Sequence, residues 1–312
     1  MLKLIAAFFR LIRWPNLVFI MLTQLLFVYC IIMPVYAKAG MVPIIFGWHF
    51  VLLCLSSVLI AAAGYIINDY FDLNIDLVNK PEKMVVDKII HRRWTIVWHL
   101  ILSVTGIAIG FYLDITTRIF LLGVSNCICV ILLFVYSISL KKKFLIGNVI
   151  ISLLTAWVIL VITWCENNNI INIHNNFRAE KIIRETFLFA GFAFIISLVR
   201  EVVKDMEDIE GDRKYGCRTM PIIWGINATK VFVAVWLIVL IAVLVIVQVY
   251  AARLQWWLSI IYCLVFIIAP LLWIFKKLYD ARTSKQFHSL SSLIKLVMLT
   301  GILSMIFFKY YH

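Results

Sequence analysis

Two groups of three aspartates share the spacing i, i+3, i+7: Asp69, Asp72 and Asp76, then Asp205, Asp208 and Asp212. On a helix this spacing stacks three carboxylates on one face, within about 60° of one another. Six carboxylates brought together would raise one another's pKa unless a cation lay between them. Because Mg²⁺ takes oxygen ligands and keeps coordination sites for substrate phosphates, the two groups predict a Mg²⁺–diphosphate site at a membrane surface.

Basic and polar side chains near these aspartates are candidates for contacting the diphosphate. Basic groups donate charge-assisted hydrogen bonds to phosphate oxygens, while a metal ion bridges other oxygens to carboxylates. The candidates are Lys83, Lys141, Arg200 and Lys204, with Arg13 and Asn16 at the start of the first apolar run. The alternative is a membrane-surface anchor for each cation, and a helix cap for Arg13 and Asn16. The residues predicted to act in catalysis are Asp72, Asp76, Asp208 and Lys204.

The composition is typical of a polytopic membrane protein. Of the 312 residues, 64% are hydrophobic and 14% are charged, and the apolar residues form runs long enough to span a bilayer. The net charge of +13 is divided among the segments between these runs, which favours positively charged loops over nucleic-acid binding. The seven cysteines are scattered and show neither disulfide nor zinc spacing, so we interpret them as packing residues.

Nine membrane-spanning helices are predicted in a single membrane domain over residues 1–312. Their approximate bounds are 16–36, 44–66, 94–112, 117–137, 145–164, 185–203, 228–250, 254–275 and 288–309. Residues 1–15 carry three cations among apolar side chains, which predicts an amphipathic helix on the membrane surface. The segments 67–93 and 204–227, which hold the aspartates, are predicted to be active-site loops.

The basic residues also predict the orientation in the membrane. The side that holds the amino terminus carries about three times more Lys and Arg than the other side, so it is predicted to be cytoplasmic. Nine spans then put the carboxyl terminus outside, in a protein integral to the inner cell membrane. Both aspartate groups end spans that run inward, the second and the sixth. Two such helices in equivalent positions indicate a parallel internal repeat with the site near its axis.

The motifs Asn68-Asp69-x-x-Asp72-x-x-x-Asp76 and Asp205-x-x-Asp208-x-x-x-Asp212 resemble those of the UbiA superfamily of intramembrane prenyltransferases. The resemblance covers nearly the whole chain. It implies an all-α bundle with a central cavity open to the bilayer, and Mg²⁺-dependent transfer of a polyprenyl group from its diphosphate. By position, Asn68 and the six aspartates take the metal–diphosphate role. Lys83 stands at the second Arg of the family's Asn-Arg-Pro-x-Arg-Pro segment.

Within the superfamily, residues 200–212 and 136–148 are most similar to the geranylgeranylglycerol-phosphate geranylgeranyltransferase branch, the digeranylgeranylglyceryl phosphate synthases. This resemblance implies geranylgeranyl transfer to a lipophilic acceptor, geranylgeranylglyceryl phosphate. Alternative acceptors are quinone precursors, such as dihydroxynaphthoate and 4-hydroxybenzoate, and haem b as in haem O synthases. From another functional class, the alternative is a cation-coupled transporter. The sequence indicates no obligate protein partner.

Overall fold

The structure is a computed structural model that describes residues 2–79, 84–172 and 176–311. Within these ranges the chain forms helices and no strand, which confirms the all-α class. In chain order the helices used below are α1 (Leu2–Leu11), α2 (Trp14–Ala39), α3 (Trp48–Asn79), α4 (Arg92–Thr117), α5 (Leu122–Ile138), α6 (Ile146–Cys165), α7 (Asn176–Glu207), α8 (Ile209–Lys214), α9 (Gly225–Arg253), α10 (Trp257–Asp280) and α11 (Ser284–Tyr310). Two shorter helices, Asn167–Asn172 and Met220–Ile223, lie in the connections.

The described part of the chain contains eight helices that are long and apolar enough to cross a membrane, so the protein is an integral membrane protein. These are α2, α3, α4, α6, α7, α9, α10 and α11. The predicted fourth span, 117–137, corresponds to α5, which is apolar but has only 17 residues. Its start is displaced because α4 continues to Thr117. The Asp114 carboxylate then accepts hydrogen bonds from the backbone N–H groups of Leu122 (2.9 Å) and Gly123 (2.8 Å), which caps α5.

A buried polar contact holds α3, α4 and α5 together. The Ser56 hydroxyl of α3 donates to the Gly106 carbonyl of α4 at 2.8 Å. Asn126 of α5 donates both to the Ser56 hydroxyl (2.9 Å) and to the same carbonyl (3.2 Å). A Cβ atom on Gly106 would lie 2.8 Å from the Ile60 side chain, so the close approach of α3 and α4 depends on this glycine. Small residues and interhelical hydrogen bonds are the usual means of helix association where lipid removes the hydrophobic driving force.

Helix α1 covers the end of the bundle that carries the aspartates. Ala7 and Leu11 are buried against Ile66 of α3 and the segment 85–90. On its other face Phe9 remains half exposed. A helix with one face on protein and apolar side chains on the other is suited to the membrane interface.

The segments predicted as active-site loops are largely helical. Helix α3 continues to Asn79 because its apolar face continues through the buried Ile75, and the next proline is Pro81. In the second segment α7 continues to Glu207 and α8 follows directly. The aspartates therefore lie mostly on helix ends, which fixes their directions more firmly than a loop would. Lys83 lies outside the described residues.

Candidate active site

A polar cavity of about 770 Å³ lies where α3 and α7 end, beside the turn between α5 and α6. All six predicted aspartates line it: Asp69, Asp72, Asp76, Asp205, Asp208 and Asp212. Five of the other predicted residues line the same cavity: Arg13, Asn68, Lys141, Arg200 and Lys204. Asn16 lies instead in the adjoining apolar cavity. The structure therefore brings the two motifs, 136 residues apart in sequence at Asp69 and Asp205 (205 − 69), to one site.

A lysine in the connection between α5 and α6 contacts the first motif. Lys141, in the single turn Leu140–Lys142, places its Nζ 2.5 Å from Asp72 Oδ1 and 3.2 Å from Asn68 Oδ1. Asn68 Nδ2 also donates to Asp72 Oδ2 at 2.8 Å. Only 10% of the Lys141 side chain and 16% of the Asp72 side chain are exposed. Buried charges of this kind are paired and hydrogen-bonded because an isolated one is costly to desolvate.

Arg13 holds the other end of the same motif. Its Nη2 lies 2.6 Å from Asp69 Oδ1, and its guanidinium lies 5.2 Å from the centre of the Tyr65 ring. The charge of Asp69 raises the pKa of Arg13 further above its ordinary value, so the guanidinium stays protonated. Arg13 precedes α2 in a left-handed conformation, with φ of 51°. Such backbone conformations in residues other than glycine are uncommon and are often found at functional sites.

The second motif is divided between two helices. Asp205 lies in the last turn of α7, where its Oδ2 accepts a hydrogen bond from Asn148 Nδ2 of α6 at 2.9 Å. Because α7 ends at Glu207, Asp208 lies at the start of α8 and Asp212 lies within it. The prediction that one helix stacks all three carboxylates therefore fits the first motif but not the second.

Asn79 joins the two motifs directly. Its Oδ1 accepts a hydrogen bond from the Gly211 N–H at 2.9 Å, and its Nδ2 donates to the Asp208 carbonyl at 3.1 Å. A Cβ atom on residue 211 would lie 2.5 Å from the Asn79 amide, so the contact requires glycine there. Nothing in the sequence indicates this pair, because 132 residues separate its members.

Asn79→Ala is expected to loosen the second motif. The change removes two hydrogen bonds worth about 1 kcal/mol each, which should lower the midpoint of thermal unfolding by several degrees. Any activity that depends on the second motif should fall by about tenfold, because Asp208 and Asp212 lose their hydrogen bonds to α3. The matched control is Asn74→Ala, at an exposed position on the same helix that lines neither cavity. Equal thermal midpoints and equal rates for the two variants would contradict the role of Asn79.

Glu201 is a site residue that the sequence analysis missed. Its two carboxylate oxygens accept from Arg200 Nη1 and from Lys204 Nζ, each at 2.9 Å. The sequence does place Glu201 and Lys204 three residues apart, a spacing at which opposite charges pair on one face of a helix. Cys217 also lines the polar cavity, and burial raises the pKa of its thiol to about 11. Its thiol is therefore protonated near neutral pH, and it is a poor nucleophile.

The donor set of the polar cavity fits a hard divalent cation. The aspartate and asparagine side chains supply oxygen atoms, which Mg²⁺ prefers as ligands. Within the described residues, no three carboxylate, imidazole or thiol groups converge on one point. Asp69 and Asp72 are instead each paired with a basic side chain, as described above. The carboxylate oxygens of both motifs thus line one cavity and could serve as metal ligands. Arg13 and Lys141 balance the negative charge of Asp69 and Asp72.

An apolar cavity of about 860 Å³ adjoins the polar one. Side chains from α2, α3, α5, α6, α7 and α11 form its walls, among them Phe19, Ile60, Leu133, Val158 and Met298. The two cavities share a set of lining residues: Arg10, Arg13, Asn68, Tyr136, Arg200, Glu201, Lys204 and Lys295. A ligand with a charged head and a long apolar tail would fit across both, with the head among the aspartates.

The chain is similar to known proteins both in sequence and in fold. A sequence model described as the UbiA prenyltransferase family matches residues 15–299. Digeranylgeranylglyceryl phosphate synthase from Methanosphaera stadtmanae is 28% identical over 261 residues, which cover 83% of this chain and 87% of that protein. Among solved structures, one described as digeranylgeranylglyceryl phosphate synthase in membranes has a TM-score of 0.60 at 21% identity, covering 97% of this chain and 99% of the other.

A second solved structure is a UbiA homologue from Archaeoglobus fulgidus bound to GPP and Mg²⁺. Its TM-score is 0.58 at 17% identity, covering 96% of this chain and 99% of the other. At these identities the two structures show that the chain shares their fold.

Proposed function

Because the chain belongs to the UbiA prenyltransferase family, we propose that it transfers a geranylgeranyl group from geranylgeranyl diphosphate to geranylgeranylglyceryl phosphate, in a Mg²⁺-dependent reaction. One observation carries the proposal: both aspartate motifs line a polar cavity that adjoins an apolar one between the helices. The names of the sequence relatives support the glycerol phosphate as acceptor. The structures of a homologue bound to GPP or DMAPP with Mg²⁺ support the donor class and the metal.

In this proposal the polar cavity binds the donor diphosphate. The residues that would hold Mg²⁺ are the aspartates of the two motifs, Asp69, Asp72, Asp76, Asp205, Asp208 and Asp212. Bound Mg²⁺ would neutralise charge that develops on the leaving diphosphate. Lys141 and Arg13, which contact the first motif, donate hydrogen bonds to the diphosphate oxygens, and Asn68 orients Lys141 and Asp72.

The prenyl chain lies in the apolar cavity, where its allylic C1 reaches the boundary with the polar cavity. When the C–O bond to the diphosphate breaks, the π faces of Tyr65 and Tyr136, which line the apolar cavity, stabilise the allylic cation. The acceptor hydroxyl then attacks C1, and its proton passes to the departing diphosphate. The apolar walls exclude water, which would otherwise capture the cation.

The membrane orientation is part of the proposal. The positive-inside rule places α1 and the polar cavity on the cytoplasmic side of the inner membrane and the carboxyl terminus outside. Residues Lys141–Lys143 and Arg200–Arg218 lie at the same end of the bundle as the aspartates, which supports this direction. Both substrates, having a charged head and an apolar tail, would then reach the site from the cytoplasmic leaflet.

The proposal is tested with the purified chain in lipid nanodiscs, supplied with Mg²⁺ and labelled geranylgeranyl diphosphate. Geranylgeranylglyceryl phosphate, dihydroxynaphthoate, 4-hydroxybenzoate and haem b are each offered alone. We expect a labelled product with the glycerol phosphate, and its loss when EDTA is added. A product with an aromatic acceptor or haem b alone would contradict the acceptor assignment. Mg²⁺ transport into liposomes without any prenyl transfer would contradict the enzyme itself.

A further inference from the structure

A basic cluster lies where the polar and apolar cavities meet. We call it the neck and define it as Arg200, Glu201 and Lys204 of α7 with Lys295 of α11, all of which line both cavities. Three cations and one carboxylate give the neck a formal charge of +2. Arg10 and Arg13 also line both cavities, but Arg10 is exposed, and the charge of Arg13 is balanced by Asp69 at 2.6 Å. The neck is therefore a region of excess positive charge within the bundle.

Lys295 contacts an amide oxygen and an aromatic ring. Its Nζ donates to Asn16 Oδ1 at 2.7 Å and lies 5.3 Å from the centre of the Phe19 ring. Within the described residues, no carboxylate lies within ion-pair distance of Lys295. Charged side chains inside membrane helices are costly, and they usually face a cavity and serve a ligand there.

Arg200 offers a partly exposed guanidinium to the same two cavities. Its Nη1 contacts Glu201 at 2.9 Å, and 21% of its side chain is exposed. The ammonium of Lys295, which lines both cavities and contacts an amide oxygen instead of a carboxylate, therefore points to an anion at the neck.

The neck is separate from the group that holds the first aspartate motif. Lys141 and Lys142 line the polar cavity alone, whereas Asn16, the partner of Lys295, lines the apolar cavity alone. A diphosphate held by the two motifs lies beside Lys141. An anion held by Lys295 and Asn16 lies on the apolar side of the boundary, where the reacting hydroxyl of an acceptor has to be placed.

We propose that the neck binds the phosphomonoester of the acceptor, with Lys295 as its main contact and Asn16 and Arg200 as supporting donors. The inference rests on the proposed function, since it names the residues that recognise the acceptor. A phosphomonoester carries about −1.5 to −2 charge at neutral pH, which matches the formal +2 of the neck. A monocarboxylate acceptor would balance only half of that charge. Lys295 is thus a specificity-determining residue that favours a phosphorylated glycerol lipid.

The test compares two acceptors that differ only in the phosphate: geranylgeranylglyceryl phosphate and geranylgeranylglycerol. Wild-type protein in nanodiscs is expected to prefer the phosphorylated acceptor in kcat/KM. In Lys295→Met this preference should fall by about 10- to 100-fold, the effect of a lost hydrogen bond to a charged group. The KM for geranylgeranyl diphosphate and the rate with geranylgeranylglycerol should stay unchanged. Lys295→Arg should restore most of the preference because it retains the charge.

The matched control is Lys285→Met, the same substitution at an exposed position of α11 that lines neither cavity. Its acceptor preference should equal that of the wild type. If Lys295→Met lowers the rate with both acceptors equally, or leaves the preference unchanged, the inference is overturned while the proposed function stands. If wild-type protein turns over neither glycerol acceptor, the proposed function fails and the inference fails with it.

Discussion

Asp72→Asn and Asp208→Asn are each expected to lower prenyl transfer by about a thousandfold while the protein remains folded. Asparagine keeps the shape of aspartate but removes the charge that would help to hold a divalent cation against the diphosphate. Losses of about 10² to 10³ follow removal of single groups that stabilise transition-state charge. The measurement is single-turnover transfer of labelled geranylgeranyl groups at saturating Mg²⁺. Thermal unfolding in the same nanodiscs reports the folded state.

The control for this pair is Asp280→Asn, an isosteric change at an exposed position at the end of α10. It lines neither cavity and should leave the rate unchanged. Near-normal turnover in either site variant would show that the two motifs do not act through their charge. A loss of activity accompanied by a collapse of the thermal midpoint would instead assign Asp72 or Asp208 to the fold.

Lys141→Met should lower kcat with the donor by about a hundredfold and also weaken the fold. Lys141 is nine-tenths buried, and its Nζ is shared between Asp72 and Asn68. Removing one partner of a buried ion pair leaves an uncompensated charge and costs about 3–5 kcal/mol. We therefore expect a lower thermal midpoint, and a larger rise of that midpoint on adding Mg²⁺ than in the wild type. A divalent cation would compensate the Asp72 charge that has lost its lysine.

Two further variants isolate this effect. Lys143→Met changes an exposed lysine of the same connection that lines neither cavity, and it should behave like the wild type. Lys141→Arg keeps the charge and should recover part of the rate, although the planar guanidinium presents its donors differently from an ammonium. If Lys141→Met and Lys143→Met have the same rates and midpoints, Lys141 is a surface anchor, which is the alternative the sequence left open.

The features predicted from the sequence are those that depend on local spacing. Apolar runs predicted where each span lies, although α3 continues to Asn79, beyond the predicted end at 66, and α7 begins at Asn176, before the predicted start at 185. The i, i+3, i+7 pattern placed the first motif on one helix face. The shared spacing of the motifs also predicted that they would meet at one cavity. These inferences need only the order of residues, the periodicity of a helix and the thickness of a bilayer.

The features that were missed depend on contacts between distant segments. Asn79 and Gly211, or Lys295 and Asn16, lie on different helices, and neither partner shows a spacing signal. The second active-site segment was predicted to be a loop from residue 204, whereas α7 continues to Glu207 and α8 follows from Ile209. Helix ends and cross-helix hydrogen bonds are set by tertiary packing, so a single sequence seldom reveals them.

The shortness of α5 has a consequence for the surrounding lipid. Its 17 residues rise about 25 Å, whereas the hydrocarbon core of a typical bilayer is about 30 Å thick. Ile128 and Ile131 on this helix are more than half exposed, so the helix faces acyl chains along its middle. The bilayer beside α5 can match this length by becoming thinner, at a cost of fractions of a kcal/mol for each ångström of difference between the helix and the hydrocarbon core. The turn that carries Lys141 follows α5 directly, so a displacement of this helix end by a thicker or thinner membrane would move that lysine relative to Asp72.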